Sequence, residues 1–205
     1  MINHYDYNAL FLETINAHID ELILEDIAVT GKIDNFKFIT KYSASLVGYA
    51  ENTYISNVHV NGVVSKGKYV VGIVGYARFW PFLNSSFTFR VENGEYIGGI
   101  ASYFYTYYEM SRSVIDGIIK NCYSLCDFTY DSNIPYNLVS IIGGIVGYGE
   151  QIVFLKSYFY GNIKARQFDD HKLIVGSDLG YIVQHVYYVS EYSVEEAFTR
   201  KIMHS

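Results

Sequence analysis

Apolar and polar positions alternate along most of this chain, with short interruptions that recur at similar intervals. Alternation with a period of two is the pattern of a half-buried β-strand, and it is clear in ISNVHVNGVV (55–64) and LKSYFYGNI (155–163). Stretches rich in turn-forming residues separate such runs: SKGK (65–68), ENGE (92–95) and DSNIP (131–135). The pattern predicts an all-β protein.

A glycine-rich segment that ends in tyrosine recurs along the chain. It reads IGGIVGY at 142–148, and related segments are LVGY (46–49), IVGY (73–76), IASY (100–103) and DLGY (178–181). Glycine weakens a strand interior, so its recurrence indicates a position where φ is positive or another backbone packs closely. The residues assigned to this repeat are Gly48, Tyr49, Gly75, Tyr76, Tyr103, Gly144, Gly147, Tyr148, Gly180 and Tyr181.

A second segment, with alternating apolar positions, lies between the copies of the first. Its copies open with an aliphatic residue, at Leu24, Ile55, Leu83, Ile119 and Leu155. One such unit cannot bury its apolar face alone, whereas stacked units cover one another. We therefore expect a short right-handed parallel β-solenoid (β-helix) of about five degenerate coils over residues 24–186, with the repeat tyrosines in one column.

Both ends of the chain are predicted to be helical. Apolar residues between positions 10 and 23 recur at spacings of three to four, and Ser193 to Phe198 reads as a capping box followed by a short helix. Helical caps over 1–23 and 187–205 would cover the strand edges that a solenoid exposes. Either helix could instead bind a partner.

The alternation of Ile119-Lys-Asn-Cys-Tyr-Ser124 with the segments 142–148 and 73–76 resembles the GLUG-motif repeats of bacterial surface proteins and adhesins. The resemblance implies a repetitive extracellular or cell-surface β-solenoid, and it brings no catalytic residues. The N-terminal stretch lacks the basic, apolar and cleavage-site regions of a signal peptide. A cytoplasmic location therefore stays open beside the surface.

Composition removes several classes of protein. Half of the 205 residues are hydrophobic and 18% are charged, which excludes global disorder. The net charge of −6 comes without a basic stripe, so we expect no nucleic-acid partner. No apolar run reaches the roughly 18–20 residues of a membrane span. Cys122 and Cys126 are not spaced as CxxC and are expected to be buried free thiols.

Enzymatic chemistry is the weaker interpretation. A polysaccharide lyase or hydrolase would need clustered acids, and the candidates are Asp116, Asp127 and Asp131 with Arg112 as a charge partner. Surface acids near turns explain them more simply. The run 169–171 (DDH) offers three potential metal ligands, but adjacent side chains on a strand point to opposite faces. We expect no catalytic residues, no metal and no cofactor.

Aromatic side chains are the remaining candidates for binding. Trp80, Tyr105, Tyr107 and Tyr108 lie in ring-dense stretches, whereas Phe79 and Phe82 are expected in the core. The predicted function is a non-catalytic structural or adhesive module that presents an aromatic-rich face to a glycan or a protein. The alternatives are a carbohydrate-active enzyme on a β-helix scaffold and an intracellular assembly module.

Overall fold

The computed structural model describes residues 7–34, 37–78, 81–105, 117–129, 140–164, 170–172, 174–184, 186–190 and 193–197. Within these ranges every regular element is a β-strand, so the all-β fold class is confirmed. Most strands belong to one curled sheet in which the pairing is parallel, apart from one antiparallel pair at the C-terminal end of the described residues. None of the described segments forms a helix long and apolar enough to cross a membrane.

The described strands follow one another in six levels. A level is a run of consecutive strands that pairs in parallel with the runs before and after it. Level one holds β1 (Tyr7–Asn8), β2 (Phe11–Ile15) and β3 (His18–Thr30), and the antiparallel pair β4 (Ile33–Asp34) and β5 (Lys37–Phe38) follows it. Level two holds β6 (Tyr42–Ala44), β7 (Val47–Glu51) and the first part of β8 (Tyr54–Val71).

Level three holds the end of β8, β9 (Val74–Arg78), β10 (Phe82–Leu83) and the first part of β11 (Ser86–Gly98). Level four holds the end of β11, β12 (Ala101–Tyr105), β13 (Gly117–Lys120) and β14 (Tyr123–Thr129). Level five holds β15 (Ile141–Gly143), β16 (Val146–Leu155) and β17 (Tyr158–Tyr160). Level six holds β18 (Asp170–Lys172), β19 (Val175–Gln184) and β20 (Val186–Ser190), and β21 (Ser193–Ala197) pairs with β20.

One hydrophobic core runs through the levels. Parallel pairing in register places the same face of each level over the same face of the next, so inward side chains form continuous columns. The largest fully buried aromatic side chains are Phe82, Phe87, Phe104, Phe128, Phe154 and Phe159. The core position of Phe82 agrees with the sequence-based expectation, while Phe79 lies outside the described residues.

The predicted N-terminal helix is wrong, because residues 7–30 form the three strands of level one. The half-buried positions there are Leu12, Thr14, Ala17, Ile19, Leu22, Leu24, Ile27 and Val29, at alternating spacings of two and three. Residues with positive φ, namely Asn16, Glu21 and Asp26, fall at each change of phase. The apolar residues whose spacing predicted a helix include Leu10, Phe11, Ile15 and Ile23, which are exposed, so that spacing combined residues from both faces of the strands. Because residues 7–30 form strands, there are six levels and not the five coils expected.

The predicted C-terminal helix is wrong for Ser193–Ala197, which forms β21. This strand pairs antiparallel with β20, from Val186↔Ala197 to Ser190↔Ser193. The capping-box pattern is a local signal, and the hydrogen bonds offered by an open strand edge outweigh it. The predicted cap boundaries at 23 and 187 therefore do not separate helical from β structure.

The predicted opening position of the second segment is wrong in the first unit. Leu24 pairs with Val60, and Ile55 pairs with Ile19, so this unit opens five residues earlier than predicted.

In two other units the opening position needs a shift of one residue. Phe82, not Leu83, pairs with both Ile55 and Ile119. In the same way Phe154, not Leu155, pairs with Ile119. Because side chains alternate across a strand, a shift of one residue exchanges the inner and outer faces.

An asparagine ladder marks one turn of successive levels. Asn57, Asn84 and Asn121 have φ values of 51°, 49° and 53°, a left-handed conformation that asparagine tolerates better than most residues. The Asn84 side-chain amide donates to Asn57 Oδ1 at 3.2 Å, and the Asn121 amide donates to Asn84 Oδ1 at 2.9 Å. The ladder therefore fixes both the turn geometry and the vertical alignment.

Removal of the central ladder residue should destabilise the fold. Asn84→Ala removes the side-chain amide and with it two hydrogen bonds. It also leaves a residue with a Cβ at positive φ, where no side-chain hydrogen bond offsets the backbone strain. We expect a loss of about 2 kcal/mol in the free energy of unfolding. Asn84→Gly should lose less, because glycine accepts positive φ freely. Chemical denaturation of both variants measures this, and equal losses would show that backbone conformation is not part of the effect.

Candidate functional site: tyrosine ladders and an exposed aromatic face

Four tyrosines of the glycine-rich repeat stack on one another across levels two to five. This first tyrosine ladder consists of Tyr49, Tyr76, Tyr103 and Tyr148, which are paired in register. The ring centroids of successive members are 5.4, 4.9 and 4.6 Å apart, with interplanar angles of 15°, 5° and 17°. These are offset-stacked geometries, which favour aromatic pairs beyond the area they bury.

Gly180 and Tyr181 do not continue this ladder, which corrects their assignment to the repeat. Tyr148 pairs with Ser177, while Tyr181 pairs with Ile152. The segment Val175-Gly176-Ser177 therefore occupies the repeat position at level six. The letters DLGY match the repeat, but they lie four residues too late in the register.

The glycines of the repeat serve close backbone approach, and they do not have positive φ. A Cβ on Gly75 would lie 2.5 Å from the Gly48 carbonyl oxygen, and one on Gly147 would lie 2.6 Å from the Ser102 carbonyl oxygen. Each position thus points at the backbone of the level before it. Gly144 lies in the bend between β15 and β16.

A second tyrosine ladder, which the sequence analysis missed, faces the first. It consists of Tyr7, Tyr42, Tyr69 and Tyr96, with successive centroids 5.0, 5.1 and 5.1 Å apart. Its members contact the first ladder edge to face, for example Tyr69 with Tyr103 at 5.8 Å. The signal was present in the sequence, because a tyrosine precedes Tyr49, Tyr76 and Tyr103 by seven residues in each case.

The two central members of the second ladder are more buried than the members of the first ladder. Tyr42 and Tyr69 are buried, and the ammonium groups of Lys41 and Lys68 lie over their rings at 5.0 and 5.7 Å. Members of the first ladder are only half-buried, and the Tyr49 hydroxyl donates a hydrogen bond to Glu51 Oε2 at 2.9 Å. Glu51 Oε1 also lies 3.3 Å from Arg78 Nη1.

Burial of the second ladder should make stability depend on pH in the alkaline range. Burial, with the nearby Tyr96 and Glu95, raises the pKa of Tyr69 from 10.0 to about 12. Below pH 10 the phenol is protonated in the folded and unfolded states alike, so it contributes no pH dependence of stability. Above that pH the unfolded state loses the proton first, and stability falls as pH rises through the folded-state pKa.

We therefore expect the free energy of unfolding to decrease between about pH 10 and 12. Tyr69→Phe should show a smaller decrease in that window, because one phenol that ionises more readily on unfolding is absent. Urea titrations at fixed pH values measure this. Tyr160→Phe, which removes an exposed phenol, is the control, and a decrease in Tyr69→Phe equal to that of the wild type would contradict the assignment.

An exposed aromatic cluster lies on the outer side of levels four and five. This outer aromatic face consists of Tyr123, Tyr158 and Tyr160, and Tyr158 stacks on Tyr123 at 5.2 Å with an interplanar angle of 8°. Tyr158 is 38% exposed and Tyr160 is 51% exposed, whereas Phe159 between them is buried. Strand alternation therefore directs both tyrosines outward.

Hydrogen-bonding groups continue this face across the neighbouring levels. Tyr160 pairs with Leu125, which pairs with Thr88, and the Asn61 amide donates to Thr88 Oγ1 at 2.9 Å. His59 Nδ1 lies 2.8 Å from Ser86 Oγ in the adjoining column. The face thus combines aromatic rings with hydroxyl, amide and imidazole groups.

The structure describes only one of the four predicted binding residues. Tyr105 is half-buried at the end of β12, where it pairs with Arg78 and Glu150. Trp80, Tyr107 and Tyr108 lie outside the described residues. Tyr158 and Tyr160 were missed as binding candidates because their segment was interpreted only as a repeat strand.

The surroundings of Asp127 and of the two cysteines indicate structural roles. Asp127 Oδ1 accepts hydrogen bonds from the Asn162 backbone N–H at 3.0 Å and from its side-chain amide at 3.3 Å. Cys122 and Cys126 are buried free thiols, and burial raises the pKa of each to about 12. Both thiols are therefore protonated at neutral pH.

Of the remaining candidate residues, Asp116, Asp131, Arg112 and Asp169 fall outside the described part of the chain. Asp170–Lys172 forms β18, where His171 pairs with Ile142. Within the described ranges no three His, Cys, Asp or Glu residues group as metal ligands would.

Comparison with models of known protein families gives no match for this chain, and no curated protein matches it either.

Proposed function

We propose that this chain is a short right-handed parallel β-solenoid of GLUG-like repeats that acts as a non-catalytic adhesive module of a surface protein. The parallel registers, which advance by one level at a time over residues 7–190, support the solenoid. The resemblance of 73–76, 119–124 and 142–148 to GLUG repeats supports the extracellular or cell-surface location. The ladders hold the levels in register and make the scaffold rigid.

Within this module we propose the outer aromatic face as the glycan-binding surface. The observation that carries this proposal is the exposure of Tyr158 and Tyr160 side by side on one strand, next to a row of hydrogen-bonding side chains. Aromatic rings stack on the apolar faces of sugars, while hydroxyl and amide groups bond to sugar hydroxyls. The first tyrosine ladder suits this role less, because its members are half-buried, whereas Tyr160 is 51% exposed.

The roles of Asp127 and Glu51 also support a non-catalytic module. Asp127 holds the turn at Asn162, and Glu51 binds Tyr49 and Arg78. Each carboxylate therefore connects parts of the scaffold. A glycosidase would instead need two carboxylates placed to face one scissile bond.

Binding of the purified chain to a broad glycan array tests this proposal. We expect specific binding that Tyr160→Ala abolishes and that Leu10→Ala, which truncates an exposed apolar side chain at level one, leaves unchanged. Trp80→Ala and Tyr107→Ala test whether the face extends to those residues. Absence of glycan binding by the folded wild type would refute the glycan-binding surface and favour a protein partner.

A further inference from the structure

We propose that the first tyrosine ladder is a site of oxidative cross-linking, at which dityrosine bonds join successive levels of the fold. The inference goes beyond the adhesive role, and it rests on the ladder geometry alone. It would hold whether or not the outer aromatic face binds a glycan.

The ladder brings phenol rings together at the spacing that radical coupling requires. Tyr103 lies between Tyr76 and Tyr148, with ring centroids 4.9 and 4.6 Å away. The ring planes of each pair are nearly parallel, with interplanar angles of 5° and 17°. The residues are in register on adjacent parallel strands, so equivalent ring atoms are neighbours. These rings are half-buried, which leaves an edge accessible to an oxidant and holds the rest of each ring in place.

The ladder also provides an acceptor for the phenolic proton at one end. A tyrosine that loses an electron becomes a strong acid, and its oxidation is easier when a base already holds the proton. The Tyr49 hydroxyl donates to Glu51 Oε2 at 2.9 Å, so this phenol has such a base. The stacked rings at 5.4, 4.9 and 4.6 Å then allow the electron deficiency to pass from Tyr49 to the other members.

The chemistry balances with a peroxide as the oxidant. A haem peroxidase uses one hydrogen peroxide to remove one electron and one proton from each of two tyrosines, and the peroxide becomes two water molecules. The two phenoxyl radicals form a carbon–carbon bond between ring positions ortho to the oxygens. The two ortho hydrogens then move to the oxygens and restore both phenols. The product is a covalent connection between two levels.

Dityrosine bonds between levels would stabilise the fold against unfolding. Tyr76 and Tyr103 are 27 residues apart, and Tyr103 and Tyr148 are 45 residues apart. A cross-link over such an interval restricts the unfolded chain and so raises the unfolding temperature. An adhesive module exposed to oxidants would become more resistant to unfolding.

The sequence allows a direct test, because trypsin separates the levels. Tyr49, Tyr76, Tyr103 and Tyr148 fall in the tryptic peptides 42–66, 69–78, 91–112 and 121–156. An inter-level bond therefore joins two different peptides. The folded chain is treated at low concentration with a haem peroxidase and hydrogen peroxide, or with a photosensitised ruthenium complex and persulfate as a smaller oxidant. Dityrosine fluorescence and tandem mass spectrometry then locate the bonds.

We expect bonds within one chain that join Tyr49 to Tyr76, Tyr76 to Tyr103 and Tyr103 to Tyr148. Tyr103→Phe keeps the ring but should lose the two bonds of Tyr103 while the Tyr49–Tyr76 bond remains. Tyr54→Phe, which replaces a half-buried tyrosine outside the ladders, should keep all of them. The set of dityrosine bonds found in the wild type already tests the proposal, so the test does not depend on whether a variant folds.

Three outcomes would overturn the proposal. One is the absence of dityrosine in the folded chain with both oxidants. Another is a set of bonds that mainly join different molecules. The third is a set of tyrosine pairs that matches the one obtained from the chain unfolded in guanidinium chloride. None of these outcomes bears on glycan binding, so the two proposals fail separately.

Discussion

Gly143→Ala is expected to reduce the free energy of unfolding by about 3 kcal/mol or more, one of the largest effects of any single methyl group in this chain. A Cβ at this position would lie 1.8 Å from the Val146 carbonyl oxygen and 2.5 Å from the Gly176 backbone nitrogen. Both obstacles are backbone atoms, one across the bend that joins β15 to β16 and one on level six. Relief would require the bend itself to open.

Gly149→Ala is the matched control, since Gly149 is a buried glycine in the same segment. A Cβ there would lie 2.6 Å from Ile152 Cδ1, the end of a side chain that can rotate away. We expect this variant to lose about 1 kcal/mol or less. Thermal unfolding followed by circular dichroism measures both, and about 3 kcal/mol corresponds to roughly 6–12 °C in a chain of this size. Equal behaviour of the two variants would contradict the close approach at the bend.

The same close approach explains why glycine recurs in this segment without being required at every level. Gly98 pairs with Gly143, and a Cβ on Gly98 would lie 2.0 Å from the Ala101 carbonyl oxygen. Levels two and three carry Ala44 and Val71 at this register position. The tight bend is therefore a property of levels four and five.

The first tyrosine ladder was accessible from sequence because identical offsets repeat. Tyr49, Tyr76 and Tyr103 are separated by 27 residues, and a parallel register that advances by the same number places them over one another. At level six the interval changes to 29, since Tyr148 pairs with Ser177. Matching the letters of the motif then selected Tyr181, because the sequence alone does not reveal where the loops absorb residues.

The errors at the two ends have a common physical origin. Local patterns there resemble those of helices, and pairing between distant segments overrides them. At level one, apolar residues on both faces of the strands together give a spacing typical of a helix. At β21, an unpaired strand edge provides hydrogen bonds to a segment whose own sequence favours a helical start. Neither effect can be inferred from the segment in isolation.

The outer aromatic face was missed for a different reason. The alternation Tyr158-Phe159-Tyr160 predicts that the tyrosines and the phenylalanine lie on opposite sides of a strand. It does not say which side is the core, because all three residues are aromatic. The neighbouring levels decide this, since Phe159 pairs with Ser124 and Tyr158 pairs with Tyr123 in a fixed parallel register. Exposure of a candidate binding residue thus depends on the register.

Phe154→Ala is the second large effect that we expect, and it tests the register of β16 directly. The Phe154 column contains Ile55, Phe82 and Ile119 at the other levels, all of which are buried. The adjacent column of Leu155 contains Ser56, Leu83 and Lys120. A polar and a charged residue at equivalent positions identify that column as the outer one, although Leu155 is aliphatic.

Truncation of Phe154 should therefore leave a cavity in the core and cost about 3–5 kcal/mol, whereas Leu155→Ala should cost about 1 kcal/mol or less. Urea denaturation of the two variants beside the wild type measures the difference, with the slope of each transition as a check that unfolding stays two-state. A larger loss in Leu155→Ala than in Phe154→Ala would show that Leu155, and not Phe154, faces the core. The inward column assigned to Phe154 would then be displaced by one residue. The pair of variants therefore tests the register of β16, whereas the outward direction of Tyr158 and Tyr160 depends on β17, which follows the turn at Lys156 (φ 47°).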